Sequence, residues 1–146
     1  MFKSLITTTL ITSTLLITAC ATTPNANQHA KNLSSLQNKN WALTQIGATA
    51  YKADPKTQNV PYIQFGSDLR VSGADGCNRI AGQYAIKGQH ITLGQLAGTR
   101  MLCQDAMHVT AKYNEALNKV AGYQVYDKTL RLLDQYGNPV LQFSAQ

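Results

Sequence analysis

Between residues 41 and 143 the apolar side chains come in short runs of period two, each closed by glycine, proline, asparagine or aspartate. That period puts one set of side chains on one face of an extended chain, the mark of antiparallel β-structure. Trp41-Ala42-Leu43-Thr44-Gln45-Ile46 reads as the first strand, with Trp41 and Leu43 on one face and Gly47 ending it. Residues 48–59 read as loop, with Asp54-Pro55 as a turn signal. Residues 61–65 and 69–73 flank Gly66-Ser67-Asp68, a hairpin loop in which one residue takes positive φ, and Ile63, Phe65, Leu69 and Val71 are expected on the core face. Gly73-Ala74-Asp75-Gly76-Cys77-Asn78-Arg79 predicts a compact, hydrogen-bonded corner. Tyr84 and Ile86 alternate in the next strand and Ile91 and Leu93 in the one after, joined across Lys87-Gly88-Gln89. Residues 96–101 form a further extended segment leading to Cys103, and Tyr123/Val125, Leu130/Leu132 and Leu141/Phe143 make a final meander.

One stretch changes period. Ala106, Val109, Tyr113, Ala116, Leu117 and Val120 recur at spacings of three and four, which predicts a helix over about 105–121 with Asp105 as its N-cap and Gly122 as its stop. Glu115 and Lys119 give it an exposed i,i+4 ion pair. The apolar stripe is expected to pack on the sheet; the sharper alternative is a helix held out for a partner. About eight strands exceed what a flat sheet of this length needs, so the expected fold is α+β: a strongly curved antiparallel sheet, a partial barrel, packed on one helix.

The N-terminus obeys other rules. Lys3 precedes an apolar stretch from Leu5-Ile6 to Leu15-Leu16-Ile17, broken by Thr7, Thr8, Thr9, Thr12, Ser13 and Thr14. A spanning helix needs roughly 20 mostly apolar residues, so the stretch reads as a signal peptide, residues 1–19. It ends in Ile17-Thr18-Ala19-Cys20, which resembles the lipobox of bacterial lipoproteins, with Ile17 where Leu is usual and Thr18 where Ala or Ser is usual. The resemblance implies a lipidated Cys20 whose acyl chains hold the protein on a membrane, since two or more chains give a stable anchor. Ala21 stands where inner-membrane lipoproteins usually carry Asp, which by analogy points to the outer membrane and a periplasm-facing anchor. Ordinary secretory cleavage near Ala19, leaving Cys20 a free thiol, is the alternative. Residues 20–39 are polar, without a sustained apolar period, and are expected as a flexible tether holding the domain (residues 40–146) roughly 25 Å from the lipid; Leu33 and Leu36 starting a short helix is the other reading.

Of the 13 basic side chains, removal of Lys3 with the signal peptide leaves 12 against 7 acidic, a net charge of +5. The basic residues are scattered, with no run of the kind a nucleic-acid footprint needs. One domain, expected as a monomer, accounts for the length.

With Cys20 assigned to lipid, Cys77 and Cys103 remain, and an exported domain with two cysteines usually pairs them. A Cys77–Cys103 disulfide would close a loop of 27 residues, for which loop entropy gives roughly 3.5 kcal/mol. Two alternatives use the same residues: a nucleophilic cysteine activated by His90 or His108, and a zinc site drawn from Cys77, Cys103, His90 and His108, which lacks a close ligand pair. Glu115 is the lone glutamate, and no Gly-x-Ser-x-Gly or phosphate loop occurs. Neither catalytic residues nor a metal or cofactor are therefore expected; Asp68 and Asp75 read as turn formers, and His29, His90 and His108 as solvated.

The residues Val71-Ser72-Gly73-Ala74-Asp75-Gly76-Cys77-Asn78-Arg79, then Gly82-Gln83-Tyr84 and Leu96-Ala97-Gly98-Thr99-Arg100-Met101-Leu102-Cys103, resemble the META domain family, which includes HslJ-type heat-shock proteins. Trp41-Ala42-Leu43 and Leu130-Arg131-Leu132-Leu133 fit the same pattern, so the resemblance spans about residues 40–145. It implies a bent antiparallel sheet on a helix and an envelope or stress-linked role without known catalysis, such as heat-shock response or novobiocin resistance. Gly76, Cys77, Asn78, Gly82, Tyr84, Thr99, Met101 and Cys103 carry over as structural motif positions. The expected function is support of envelope integrity under stress through a protein partner. A carrier or sensor of a small apolar molecule in the sheet's cleft, and an inhibitor of an enzyme such as lysozyme, are the alternatives.

Overall fold

The computed structural model describes residues 26–53 and 59–146, the first four of them by backbone alone. The expected signal peptide, Cys20 and the Asp54-Pro55 turn lie outside the described residues. Helix α1 spans Ala26–Leu36. Then come β1 (Asn40–Ile46), β2 (Thr49–Ala50), β3 (Tyr62–Phe65), β4 (Arg70–Ala74), β5 (Arg79–Lys87), β6 (His90–Leu93) and β7 (Ala97–Gly98). Helix α2 (Met107–Leu117) precedes β8 (Gly122–Tyr126), β9 (Thr129–Leu133) and β10 (Pro139–Ala145).

The sheet closes. Its strands run β10-β9-β8-β6-β5-β4-β3-β1, and β1 pairs back onto β10, with Trp41 opposite Ala145 and Leu43 opposite Phe143. The result is an antiparallel barrel of eight strands, with β2 and β7 as two-residue additions on β1 and β5. The partial barrel expected from the sequence is thus complete, because pairing of first and last strands removes both edges. The thinnest seam lies between β6 and β8, which share the single pair His90–Gly122.

An eight-stranded barrel is just wide enough to be filled by its own side chains. Trp41, Ile63, Phe65, Val71, Tyr84, Ile91, Tyr123, Leu130, Leu132, Leu141 and Phe143 are buried inside. Phe65 meets Tyr84 edge to face at 5.1 Å between centroids, and Tyr113 meets Phe143 at 6.3 Å. The alternation reading holds for these residues and fails for Leu69. That residue sits in the β3–β4 turn at φ 62° and is 48% exposed, so it supplies the positive φ expected of the loop rather than a core contact.

Each end of the barrel carries a helix, and β3 runs between them. At one end, here the lower, the Asn38 N–H donates to the carbonyl of Phe65 (2.8 Å); at the other, the upper, the Tyr113 hydroxyl donates to the carbonyl of Tyr62 (3.4 Å). The lower end holds the turns β3–β4, β5–β6 and β8–β9 and the start of β1; the upper end holds α2, the 75–78 corner and the β9–β10 turn.

Helix α1 corrects the tether reading: the chain is ordered into a helix from Ala26, and Leu36 is fully buried in the core. Local propensity does not favour it, since the Ser34 and Ser35 hydroxyls both donate to the Lys31 carbonyl. Tertiary contacts do. The Trp41 indole N–H donates to the Leu36 carbonyl at 2.9 Å, satisfying one of the orphan acceptors at the helix end, and Asn38 at φ 57° turns the chain out of the helix. Helix α1 also contacts β8, which stands across the barrel from β3, so it lies over the lower mouth.

Helix α2 is shorter than the periodicity implies. Asp105 lies in a preceding 3-10 turn, Gln104–Ala106, and does not cap; Ala106 is the N-cap and makes no side-chain cap bond. Gly122 begins β8 rather than stopping the helix, which ends at Leu117. Tyr113, Ala116 and Leu117 are its buried face, and Lys119 pairs with Glu115 at 2.7 Å.

Candidate functional site

The chain reverses between β4 and β5 through Asp75, and that carboxylate organises the corner. Asp75 is 2% exposed. Its Oδ1 accepts from the backbone N–H of Cys77 (3.0 Å) and of Asn78 (2.6 Å), and its backbone N–H donates to the Asn78 carbonyl (3.0 Å). Gly76 occupies φ 96°, a conformation costly for any residue with a Cβ. Helix α2 completes the shell: the Asn114 amide donates to Oδ2 at 2.8 Å, and the Thr110 hydroxyl donates to the Asp75 carbonyl at 3.2 Å. A buried carboxylate without a cation needs several donors, and this one has three.

The corner in turn holds the segment that follows β7. Cys77 is bonded to Cys103, with Cα atoms 5.9 Å apart. One residue on, the Asn78 side-chain oxygen accepts from the Met101 N–H (2.6 Å) and from the Thr99 hydroxyl (3.2 Å). Thr99 closes a two-way exchange with Arg79: its Oγ1 accepts from the Arg79 N–H at 3.1 Å, and its N–H donates to the Arg79 carbonyl at 3.1 Å. Gly82 gives the segment room, because a Cβ there would lie 2.8 Å from Leu96 Cδ2 and 3.0 Å from the Gln95 carbonyl.

Six of the eight motif positions therefore meet: Gly76, Cys77, Asn78, Thr99, Met101 and Cys103 build one braced loop at the upper end. Gly82 is the clearance beneath its approach. Tyr84 is elsewhere. Its hydroxyl donates to the Gly66 carbonyl (2.6 Å) and accepts from the Gln37 amide (2.7 Å), tying β5 to the lower turn and to the residue after α1. Burial pushes its phenol above the usual tyrosine range, the Gln37 bond opposes this, and the charge of Asp68 adds to it. Burial, then the Asp75 charge, raises Tyr113; burial, then Tyr84, raises Tyr123, whose buried hydroxyl has no partner among the described residues.

The braced loop presents apolar surface to solvent. Leu102 is 92% exposed, and Met101 and Met107 are each 58% exposed. Met101 also borders a hollow of about 610 Å³, lined among others by Asn59, Tyr62, Asn78, Arg79 and Thr99. Both sulfurs are consumed by the disulfide, so neither can serve as the nucleophile or as a zinc thiolate. His90 lies at the lower end and His108 on α2 at the upper, both exposed. Among the described residues no group of three His, Cys, Asp or Glu could hold a metal ion.

Sequence reasoning found the corner and the sulfur pair but missed Thr110, Asn114 and Gln37. Thr110 and Asn114 carried a signal: two polar residues four apart on a helix, flanking an apolar stripe, face one neighbour. Gln37 carried none.

A family model described as "META domain" matches residues 34–146. Three solved structures share the fold. One, an NMR structure, is 25% identical with a TM-score of 0.59, covering 76% of this chain and 92% of that one. An NMR structure of a protein from Burkholderia xenovorans is 24% identical with a TM-score of 0.60, covering 93% of this chain and 99% of that one. A crystal structure of a duf4847 family protein from Bacteroides vulgatus is 16% identical with a TM-score of 0.54, covering 75% and 93%. No functionally curated protein sequence matches the chain.

Proposed function

The chain belongs to the META domain family, matched over residues 34–146, and from that premise we propose that it is a non-catalytic docking module of the bacterial envelope. In this reading it is exported, acylated at Cys20 and held on the outer membrane facing the periplasm, where its upper end binds an envelope protein and supports integrity under stress. The observation that carries it is the braced loop. Solvent exposure of Met101, Leu102 and Met107 costs a monomer something unless the surface is used. A disulfide and the Asn78 clamp fix the backbone that carries Met101 and Leu102, which lowers the ordering cost of binding. Met is suited to such a surface because its unbranched thioether adapts to a partner. Both cysteine sulfurs of the upper end are spent on bracing that loop.

A photo-crosslinking residue placed at Leu102 in intact, stressed cells tests this. A discrete adduct with one envelope protein, not formed by the same probe at the exposed Tyr136 of the β9–β10 turn, is the expected result; equal labelling at both positions contradicts it.

A second reading rests on a different observation. Beside the thin β6–β8 seam an open hollow of about 650 Å³ is lined by Leu93, Leu96, Leu117 and Val120 together with the polar Gln95 and Asn118, and in this reading a small amphipathic molecule lodges there. Native mass spectrometry of the purified protein showing no bound lipid or other small molecule would count against it.

A further inference from the structure

The two ends of the barrel differ in charge and in their distance from the anchor. Cys20 is six residues before Ala26, so however the intervening chain runs, the two Cα atoms lie within roughly 20 Å. Helix α1 crosses the lower mouth: its C-terminal side is tied to Phe65 of β3, and it reaches β8 opposite. The helix that begins at Ala26 therefore sits at the lower end of the barrel.

That end is basic. Among the described residues, Lys31 on α1, Lys39 before β1, Arg70 at the start of β4, Lys87 at the end of β5 and Lys128 in the β8–β9 turn face two acidic side chains, Asp68 and Asp127. Asp68 is partly spent within its own turn, where Oδ1 accepts from the Arg70 N–H at 3.1 Å. Two exposed apolar side chains project from the same turns: Leu69 at 48% and Tyr126 at 58%. Tyrosine and lysine together suit a membrane–water boundary, where an aromatic body meets acyl chains and a cationic head meets phosphate. Among the described residues of the upper end, five cations (Lys52, Arg79, Arg100, Lys112, Lys119) face four acids (Asp75, Asp105, Glu115, Asp134), leaving little net charge.

We infer that the lower end, with Leu69, Tyr126, Lys87 and Lys128 on its turns, lies against the anionic phospholipid surface that holds the anchor, leaving the upper, disulfide-braced end turned away. The inference rests on the acylation of Cys20. A short leash and a basic end act together: the leash confines the domain near the surface, and the field of an anionic leaflet, which fades within a Debye length of about 8 Å, then selects which end faces it.

The test uses the full acylated chain in vesicles of phosphatidylethanolamine and phosphatidylglycerol with spin-labelled headgroups. A fluorophore is attached through Lys128→Cys at the lower end or Gln135→Cys at the upper. Quenching severalfold stronger at position 128 is expected, and it should weaken when Lys31→Glu and Lys87→Glu are combined. Equal quenching, or stronger quenching at position 135, overturns the orientation; the latter would make the Met101–Leu102 loop the lipid-facing surface. Intact mass separates the two claims. An unmodified Cys20 overturns the anchor and this inference together, whereas an acylated chain without the quenching difference overturns the orientation alone.

Discussion

The Asn114 side-chain amide donates to the buried carboxylate of Asp75 across 2.8 Å, and with the Thr110 bond to the Asp75 carbonyl it joins α2 to the corner that carries the disulfide. Asp75 is the hub, because the same carboxylate takes the backbone N–H groups of Cys77 and Asn78. Asp75→Ala strands all three donors and should cost about 3 kcal/mol, while Asn114→Ala removes one and should cost about 1–2 kcal/mol. Urea denaturation of both variants and of the pair should show coupling, since the two residues share a partner set. Strict additivity would mean that α2 and the corner are held independently.

Removal of the disulfide by Cys77→Ser with Cys103→Ser should lower stability by roughly 3–4 kcal/mol through loop entropy alone. The barrel's hydrogen-bonded strands do not pass through the sulfurs, so the far-ultraviolet circular dichroism of the folded variant should match the parent. A loss of β-signal at neutral pH and low temperature would show that the bridge is needed to form the barrel, not only to brace it.

Asn78→Ala removes the acceptor for the Met101 N–H. Amide exchange at Met101 should accelerate roughly five- to tenfold, as a bond of about 1–1.5 kcal/mol is lost. Exchange within β3 and β4 should not change. An unchanged Met101 rate would mean the disulfide alone fixes the loop.

The strands were legible because burial on one face leaves its mark every second residue: Trp41, Ile63, Phe65, Val71, Tyr84, Ile91, Leu130, Leu132, Leu141 and Phe143 are all buried as alternation requires. Leu69 broke the rule because a turn can hold a bulky residue at positive φ when its neighbours bond around it, as the Gly66–Arg70 pair does at 2.7 Å. Closure was not legible: β1 and β10 meet across almost the whole length of the domain, and no local pattern encodes that register. Helix α1 was legible only as the alternative to a tether, through Leu33 and Leu36, since its stability comes from Leu36 in the core and the Trp41 indole on its last carbonyl rather than from its own residues. The motif's cysteines, Asn78 and Gly76 could be read as one corner, but the reach of α2 into it through Thr110 and Asn114 depended on packing.

Tyr84, Tyr113 and Tyr123 have phenols raised above the usual range, first by burial in each case. A group whose pKa is higher in the folded than in the unfolded chain stabilises fully below the unfolded value, and that contribution is lost as pH climbs toward the folded one. Stability should therefore fall as pH rises above the ordinary tyrosine range, and the three phenols should ionise together with loss of the fold in an ultraviolet titration. Tyr84→Phe should lose the Gly66 and Gln37 bonds at a cost of about 1–2 kcal/mol and reduce the alkaline step. Ionisation of all three in a still-folded chain would contradict their placement in a dry interior.

Intact mass spectrometry of the protein extracted from its native membrane, followed by alkylation without reductant, tests the account at its root. The expected species begins at Cys20, carries the mass of a diacylglycerol with or without a further acyl chain, and takes up no alkyl group at Cys77 or Cys103. A species with an unmodified Cys20, or one in which both remaining cysteines alkylate, would contradict it.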